Sequence, residues 1–131
     1  MRLFLVRHAE AAAGEPDDLR PLTPAGREAA RKLGVRLASE GPEAVVSSPL
    51  LRARETAVAI ADAAGLEAEA DERLAPGATP DDLRGAASGR GETVVAVGHQ
   101  PDCSEIAFAV TGVDPGFSPG AMAQLDVERA P

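Results

Sequence analysis

The two histidines of this chain each follow an apolar stretch. Residues 3–6 (LFLV) lead into Arg7 and His8, and residues 93–97 (TVVAV) lead almost directly into His99. Continuous apolar runs of this kind are typical of central strands covered on both faces. Ligands of open α/β sheets bind beyond the carboxyl ends of the strands. If the two strands are adjacent and parallel, we expect both imidazoles to face one pocket. The alternative is that each histidine simply caps a loop and satisfies backbone groups.

A third candidate, Arg52, comes from the segment SSPLLRARET. It falls in the first turn of a predicted helix, where the helix dipole disfavours a cation by a few tenths to about 1 kcal/mol. An anion at that helix end would remove the cost, because its free backbone N–H groups already form an anion site. The alternative is that Arg52 points outward and pairs with Glu55 or solvent. Arg7, Arg52 and the helix N-terminus are therefore candidates to hold a dianion beside two imidazoles.

Several phosphate chemistries lack their residues in this sequence. It contains no glycine-rich phosphate loop or dinucleotide motif. No arginine follows Cys103 at the spacing of a cysteine phosphatase, and no Asp-x-Asp pair ends a strand. No carboxylate cluster accompanies either histidine, so we expect no metal and no other cofactor. What remains is a histidine nucleophile acting on phosphorus, which needs a neutral imidazole, positive charge around the phosphoryl oxygens and a second proton-handling group.

The predicted elements that would position these side chains alternate between strands and helices. Three Ser/Thr-Pro pairs mark helix starts, with the hydroxyl as N-cap and proline at the first helical position: Thr23-Pro24, Ser48-Pro49 and Thr79-Pro80. We predict helices over about 24–39, from Pro49 to before Gly65, over 81–88 and over 102–111. We predict strands over about 2–6, 43–47, 67–70, 92–97 and 121–127. The pattern favours an α/β domain with a mostly parallel sheet and an edge strand at LEAEA.

Length and composition limit the classes of function. The 131 residues suit one domain, residues 1–131. A net charge of -8 and the lack of Trp and Tyr argue against binding to nucleic acid or to an anionic membrane. No apolar run reaches the length of a membrane span and Met1 leads directly into a strand, so we expect a cytoplasmic protein. The single cysteine excludes an internal disulfide.

Five segments together resemble the histidine phosphatase superfamily, which has a phosphoglycerate mutase-like fold. They are VRHA, RPLTPAG, SSPLLRARET, ERLAPGATPDDL and VVAVGHQP, in the family's order and across essentially the whole chain. The resemblance is greatest to short bacterial phosphohistidine phosphatases of the SixA type. It implies a three-layer α/β/α sandwich with a mixed sheet of about five strands. It also implies His8 as the nucleophile, Arg7, Arg52 and His99 around the phosphate, and Arg20 near the pocket mouth.

The sequence departs from the family at two places. Ala9 stands where the family has glycine, which is tolerable if that residue does not need a positive φ. Larger members carry a glutamate after the third strand that protonates the leaving oxygen, and Arg73 stands at the matching position. The carboxylates close to it in sequence are Asp71, Glu72, Asp81 and Asp82, for which roles in a loop and a helix start are the simpler interpretation.

The missing acid bears on the substrate. A phosphate ester expels an alkoxide, whereas phosphohistidine expels an imidazole whose conjugate acid has a pKa of about 6.5 and leaves with modest help. We therefore predict that the substrate is phosphohistidine on a signalling or phosphocarrier protein. A phosphatase of the same mechanism acting on a small phosphomonoester is one alternative. A non-catalytic binder of phosphate or of a phosphoprotein is another. The oligomeric state is not predicted.

Overall fold

A computed structural model describes residues 1–128, in which strands and helices alternate along the chain. The strands are β1 (Arg2–Arg7), β2 (Ala44–Ser47), β3 (Ala68–Ala70), β4 (Thr93–Gly98) and β5 (Met122–Asp126). The helices are α1 (Pro24–Ala38), α2 (Leu51–Ala64), α3 (Pro80–Ala87) and α4 (Asp102–Thr111), with 3-10 turns at Asp17–Leu19 and Glu72–Leu74. None of the helices in this part of the chain is long and apolar enough to cross a membrane.

The five strands form one mixed sheet in the order β3-β2-β4-β1-β5. Every neighbouring pair is parallel except β1 and β5, which run antiparallel. The α/β class, the five strands and the edge position of β3 are confirmed. The strands that precede the two histidines are indeed adjacent and parallel, with Arg7 opposite Gly98 in the register. Both histidines therefore leave the sheet at the same edge.

The core lies on both faces of this sheet, which makes the domain a three-layer sandwich. Leu3 and Leu5 point to one face and pack with α3 and α4, whereas Phe4 and Val6 point to the other and pack with α1 and α2. All six residues of β4 are buried, as a central strand between two helix layers requires. Burying each large apolar side chain contributes about 1.5–3 kcal/mol, so the strands that lead to the site are also the best anchored.

The helix starts agree with the sequence at two of three places. Thr23 and Thr79 cap α1 and α3, each hydroxyl accepting the N–H of the third residue beyond it. The predicted cap at Ser48 is wrong, since α2 begins at Leu51 and has no side-chain cap. The Ser48 hydroxyl is fully buried and is hydrogen-bonded instead to His99, which follows the neighbouring strand β4.

Cys103, the only cysteine of the chain, belongs to the same core. It lies in the first turn of α4 with 1% of its surface exposed. Burial, followed by the nearby Asp102 carboxylate, raises the pKa of its thiol to about 12. The thiol is therefore protonated and packs as a small apolar group.

Candidate active site

A cavity of about 440 Å³ opens at the carboxyl ends of β1 and β4. All five residues singled out from the sequence line it: Arg7, His8, Arg20, Arg52 and His99. They come from the end of β1, the loop before α1, the first turn of α2 and the loop after β4. The structure thus brings together in one cavity side chains that lie more than ninety residues apart in the chain.

His8 is held by hydrogen bonds at both its backbone and its ring. Its N–H donates to the carbonyl oxygen of Gly98 at 3.0 Å, which continues the β1–β4 ladder. Its Nδ1 lies 2.8 Å from the carbonyl oxygen of Ala9. Because a carbonyl can only accept, Nδ1 carries the proton and the lone pair is on Nε2. Burial is the main cause that lowers the pKa of His8, and the nearby arginines lower it further, whereas the hydrogen bond to the Ala9 carbonyl raises it. The net lowering of the pKa favours the neutral ring.

His99 lies beside His8, with ring centroids 5.3 Å apart and ring planes inclined at 58°. Its Nε2 is 2.7 Å from the Ser48 hydroxyl, which also accepts the N–H of Leu50 at 3.2 Å. Its Nδ1 is buried and has no hydrogen-bond partner within residues 1–128. Burial, with His8 and Arg52 as further causes, lowers the pKa of His99 to about 4. Both imidazoles are therefore neutral at pH 7.

Two guanidinium groups flank the imidazoles. Arg52 is 6% exposed and turns into the cavity, so its predicted alternative, an outward pairing with Glu55, is not what the structure shows. One Nη of Arg7 donates to the carbonyl oxygen of Phe117 at 2.9 Å. The Nε atoms of both arginines are buried and lack a partner in the described chain. Buried polar groups normally find partners, so unpartnered donors at one cavity suit an anionic ligand.

Two carboxylates that sequence reasoning missed, Glu10 and Asp17, also line the cavity. Glu10 Oε1 accepts the hydroxyl hydrogen bond of Thr23 at 2.7 Å. Asp17 bonds Arg52 with both its carbonyl oxygen (2.9 Å) and its carboxylate (3.3 Å), and its carboxylate also accepts from Nε of Arg20 at 3.0 Å. Arg52 is the main cause that lowers the pKa of Asp17. The cavity thus combines three arginines with two carboxylates, of which Asp17 is held by Arg20 and Arg52.

The carboxylates considered from the sequence as proton donors lie elsewhere. None of Asp71, Glu72, Asp81 and Asp82 lines the cavity. Asp71 is bound by Arg73, Asp82 closes the capping box of α3, and Asp81 pairs within that helix. Their simpler interpretation as loop and helix-start carboxylates agrees with these contacts. Within residues 1–128, no group of three or more His, Cys, Asp or Glu side chains is arranged to hold a metal.

The loop that carries His8 is fixed to α2 through Ala9. No non-glycine residue of the described chain has a positive φ, so alanine fits the backbone where the family has glycine. The side chain of Ala9 is fully buried. Its N–H donates to Oγ1 of Thr56 at 3.1 Å, and that hydroxyl donates to the carbonyl oxygen of Arg52 at 2.8 Å. Thr56 therefore sets the spacing between the loop of His8 and the first turn of α2.

A close backbone contact fixes the next part of this loop. A Cβ atom at Gly26 in α1 would lie only 2.1 Å from the carbonyl oxygen of Glu10. The same oxygen accepts the N–H of Thr23 at 3.0 Å. The glycine of the RPLTPAG segment therefore allows α1 to begin against the cavity wall.

Solved structures with a similar fold include two of the phosphohistidine phosphatase SixA. The protein histidine phosphatase SixA in complex with tungstate is 27% identical, with a TM-score of 0.85, and the match covers 98% of this chain and 89% of that one. A putative phosphohistidine phosphatase SixA from Agrobacterium tumefaciens is 28% identical, with a TM-score of 0.81, and covers 95% of this chain and 90% of its own.

Sequence comparison gives two curated relatives. An uncharacterized protein of Picosynechococcus sp. is 37% identical over 126 residues, which cover 86% of this chain and 76% of the relative. The probable phosphoglycerate mutase GpmB of Yersinia enterocolitica is 37% identical over 81 residues, but the match spans only 37% of that protein and 56% of this chain. The family profile of the histidine phosphatase superfamily (branch 1) matches residues 3–76. This chain therefore belongs to the histidine phosphatase superfamily.

Proposed function

We propose that this protein is a metal-independent phosphatase that hydrolyses phosphohistidine on another protein through a phosphorylated His8. The observation that carries the proposal is the state of the His8 ring. Its proton is held on Nδ1 by the Ala9 carbonyl, so Nε2 offers a lone pair in a cavity that also contains Arg7 and Arg52. A neutral imidazole beside two guanidinium groups is the arrangement that attack on an anionic phosphorus centre needs.

The reaction would proceed in two displacements. In the first, Nε2 of His8 forms a bond to phosphorus while the bond from phosphorus to the substrate imidazole breaks. In the second, water attacks the phosphorus, the bond from phosphorus to Nε2 breaks and returns the lone pair to the ring, and both protons of the water leave with inorganic phosphate. Arg7 and Arg52 would stabilise the charge on the phosphoryl oxygens in both steps. If the Ser48 hydroxyl donates to Nε2 of His99, the proton of that ring is on Nδ1, where it can reach a phosphoryl oxygen.

The carboxylates of the cavity favour an imidazole leaving group over an alkoxide. Asp17 is held ionised by Arg52, so it is a poor proton donor. Glu10 already accepts a hydrogen bond from Thr23. A substrate imidazole that carries a proton on its other ring nitrogen leaves as the neutral ring, whose conjugate acid has a pKa of about 6.5, so it needs no acid from the cavity. A protein bearing phosphohistidine, such as a phosphotransfer domain or a phosphocarrier, is therefore the partner we propose.

The deciding experiment measures phosphate release in EDTA from a protein phosphorylated on histidine, using wild type, His8→Ala and His99→Ala. We expect release by wild type, none by His8→Ala, and slow release by His99→Ala. Brief incubation with labelled substrate should leave acid-labile phosphate on wild type and His99→Ala but not on His8→Ala. A strict need for a divalent ion, or release by His8→Ala at the wild-type rate, would contradict the mechanism.

A small phosphomonoester is the second candidate substrate, and the position of Glu10 at the cavity favours it. Such an ester needs an acid, so Glu10→Gln should then lower turnover by 10²-fold or more. Under the phosphohistidine proposal the same substitution should change turnover less than about threefold. Parallel assays on a phosphohistidine protein and an aryl phosphate distinguish the two substrates. Binding of phosphate without turnover of either one would identify a non-catalytic binder.

A further inference from the structure

We propose that Asp17 is a specificity residue that competes with the phosphoryl group for Arg52 and thereby weakens the binding of free phosphate. This inference rests on the proposed function, because it concerns the same cavity. It goes further by assigning a role to a carboxylate where a phosphate site would be expected to carry positive charge alone.

The contacts of Asp17 carry the argument. Its carboxylate lies 3.3 Å from one Nη of Arg52, and its carbonyl oxygen accepts from the other Nη at 2.9 Å. Each Nη of Arg52 thus donates a hydrogen bond to the same residue, while its Nε is buried without a partner in the described chain. An anion that takes the unpartnered Nε in the side-on bidentate geometry also uses Nη2, the atom bound to the Asp17 carboxylate. It must therefore replace the Asp17 carboxylate at that Nη or lie against it as a like charge.

Arg20 binds the other oxygen of the Asp17 carboxylate, Oδ1, while Arg52 binds Oδ2. The Nε of Arg20 bonds Asp17 at 3.0 Å, a shorter contact than the 3.3 Å bond to Arg52. One Nη of Arg20 is bound to the carbonyl oxygen of Ala12 at 3.2 Å. Arg20 is thereby anchored to the loop and can keep the carboxylate after Arg52 has exchanged it for phosphate. In this assignment Arg20 positions Asp17 rather than binding the substrate directly.

The effect of such a competitor differs between product and substrate. Inorganic phosphate contacts only the cavity, so the like charge of Asp17 reduces its affinity by the full amount of the repulsion. A phosphoryl group on a protein also has contacts between the two protein surfaces, which offset the same repulsion. Asp17 would therefore reduce product inhibition at small cost to substrate binding. The side chain of Asp17 is 65% exposed, so we expect solvent to limit the effect to about fivefold in affinity.

The test is the dissociation constant of inorganic phosphate, measured by calorimetry at low salt for four forms of the protein. Asp17→Asn should bind phosphate about fivefold more tightly than wild type. Asp17→Glu, which keeps the charge, should stay close to wild type. Asp18→Asn removes the same net charge from the neighbouring residue and should shift the constant less than about 1.5-fold. High salt should narrow the difference between Asp17→Asn and wild type.

The outcomes separate this inference from the proposed function. A merely structural role of Asp17 predicts weaker binding in Asp17→Asn, so weaker or unchanged binding would overturn the inference and leave the phosphatase intact. Failure of every form, wild type included, to bind phosphate would overturn both. If Asp17→Asn does not fold, the wild type decides by NMR. Phosphate should then shift the Asp17 amide and the Arg52 Nε–H signals with one dissociation constant, and a shift of Arg52 alone would overturn the inference.

Discussion

The strand ends and the segment 10–22 contribute to the same cavity by different means. His8 and His99 follow central strands, and the backbone of His8 continues the β1–β4 ladder. The segment 10–22 lies outside the sheet: it has one isolated bridge, between Ala11 and Leu22, a few local backbone hydrogen bonds, and side-chain contacts such as those of Arg20. We infer from this comparison that the two regions have different roles. The sheet fixes the positions of the reacting groups, and the segment 10–22 modulates the affinity of the cavity for anions.

This comparison can be tested by replacing one arginine outside the segment 10–22 and one within it. Arg52→Ala removes a buried guanidinium and should lower kcat/KM by about 10²-fold or more, with a matching loss of phosphate inhibition. Arg20→Ala removes an anchor of Asp17 and should lower kcat/KM by less than about tenfold. Both variants can be measured with the same phosphohistidine protein, and equal losses would contradict the comparison.

The histidines at the strand ends and Asp17 in the segment 10–22 should make the free energy of unfolding depend on pH in different ranges. The pKa of His99 is about 4 in the folded protein and about 6.5 when unfolded, so the unfolded chain binds more protons between these values. Its contribution to stability is complete above pH 6.5 and is lost as the pH falls toward 4. We expect a decrease on the order of 2 kcal/mol in the free energy of unfolding over this range, to which the lowered pKa of His8 adds.

Urea unfolding of wild type, His99→Gln and Asp17→Asn at a series of pH values checks this prediction. His99→Gln should flatten the dependence between pH 6.5 and 4. The pKa of Asp17 is lowered from an ordinary value of 3.8, so its own titration affects stability only at lower pH; between pH 6.5 and 4, Asp17→Asn should keep the slope or steepen it, because Asp17 raises the pKa of His99. A slope that survives in His99→Gln combined with His8→Asn would refute the assignment to the strand ends.

The smallest of the three effects concerns Ser48, whose hydroxyl is hydrogen-bonded to Nε2 of His99. Ser48→Ala removes the hydrogen bond to Nε2 and should lower turnover about tenfold while costing about 1 kcal/mol of stability. Ser47→Ala is the matched control, because within residues 1–128 the buried Ser47 hydroxyl bonds the Ser48 carbonyl oxygen and no side chain of the cavity. It should cost similar stability and leave turnover near wild type. Equal turnover in the two variants would mean that His99 needs no orientation by Ser48.

The strand ends were predictable from the sequence because apolar continuity has a direct structural cause. A buried strand must be apolar on both faces, and its end in a parallel sheet is fixed by topology, so His8 and His99 followed from position alone. Arg52 followed from a cation at an unfavourable helix end. The prediction of Ser48 as a helix cap was wrong because a Ser-Pro pair in the sequence does not show whether the hydroxyl bonds its own helix or a side chain that follows a neighbouring strand.

The segment 10–22 could not be predicted in the same way. Asp17 and Glu10 reach the cavity because a loop without periodic pattern folds back on α2 and α1, and such a path leaves no regular trace in sequence. The one available signal was the spacing of Asp17 and Arg20, three residues apart, which favours a local ion pair but does not say where it lies. The family resemblance indicated instead the carboxylates close to Arg73 in the sequence.

The buried thiol of Cys103 can serve as a probe of how often the structure around it opens. A thiol that is 1% exposed and has a pKa of about 12 cannot react with a disulfide reagent until α4 moves away from the sheet. Its N–H donates to the carbonyl oxygen of His99, so the same opening would release the loop after β4. With no second cysteine to compete, the labelling rate would report how often this half of the cavity comes apart in otherwise unmodified protein.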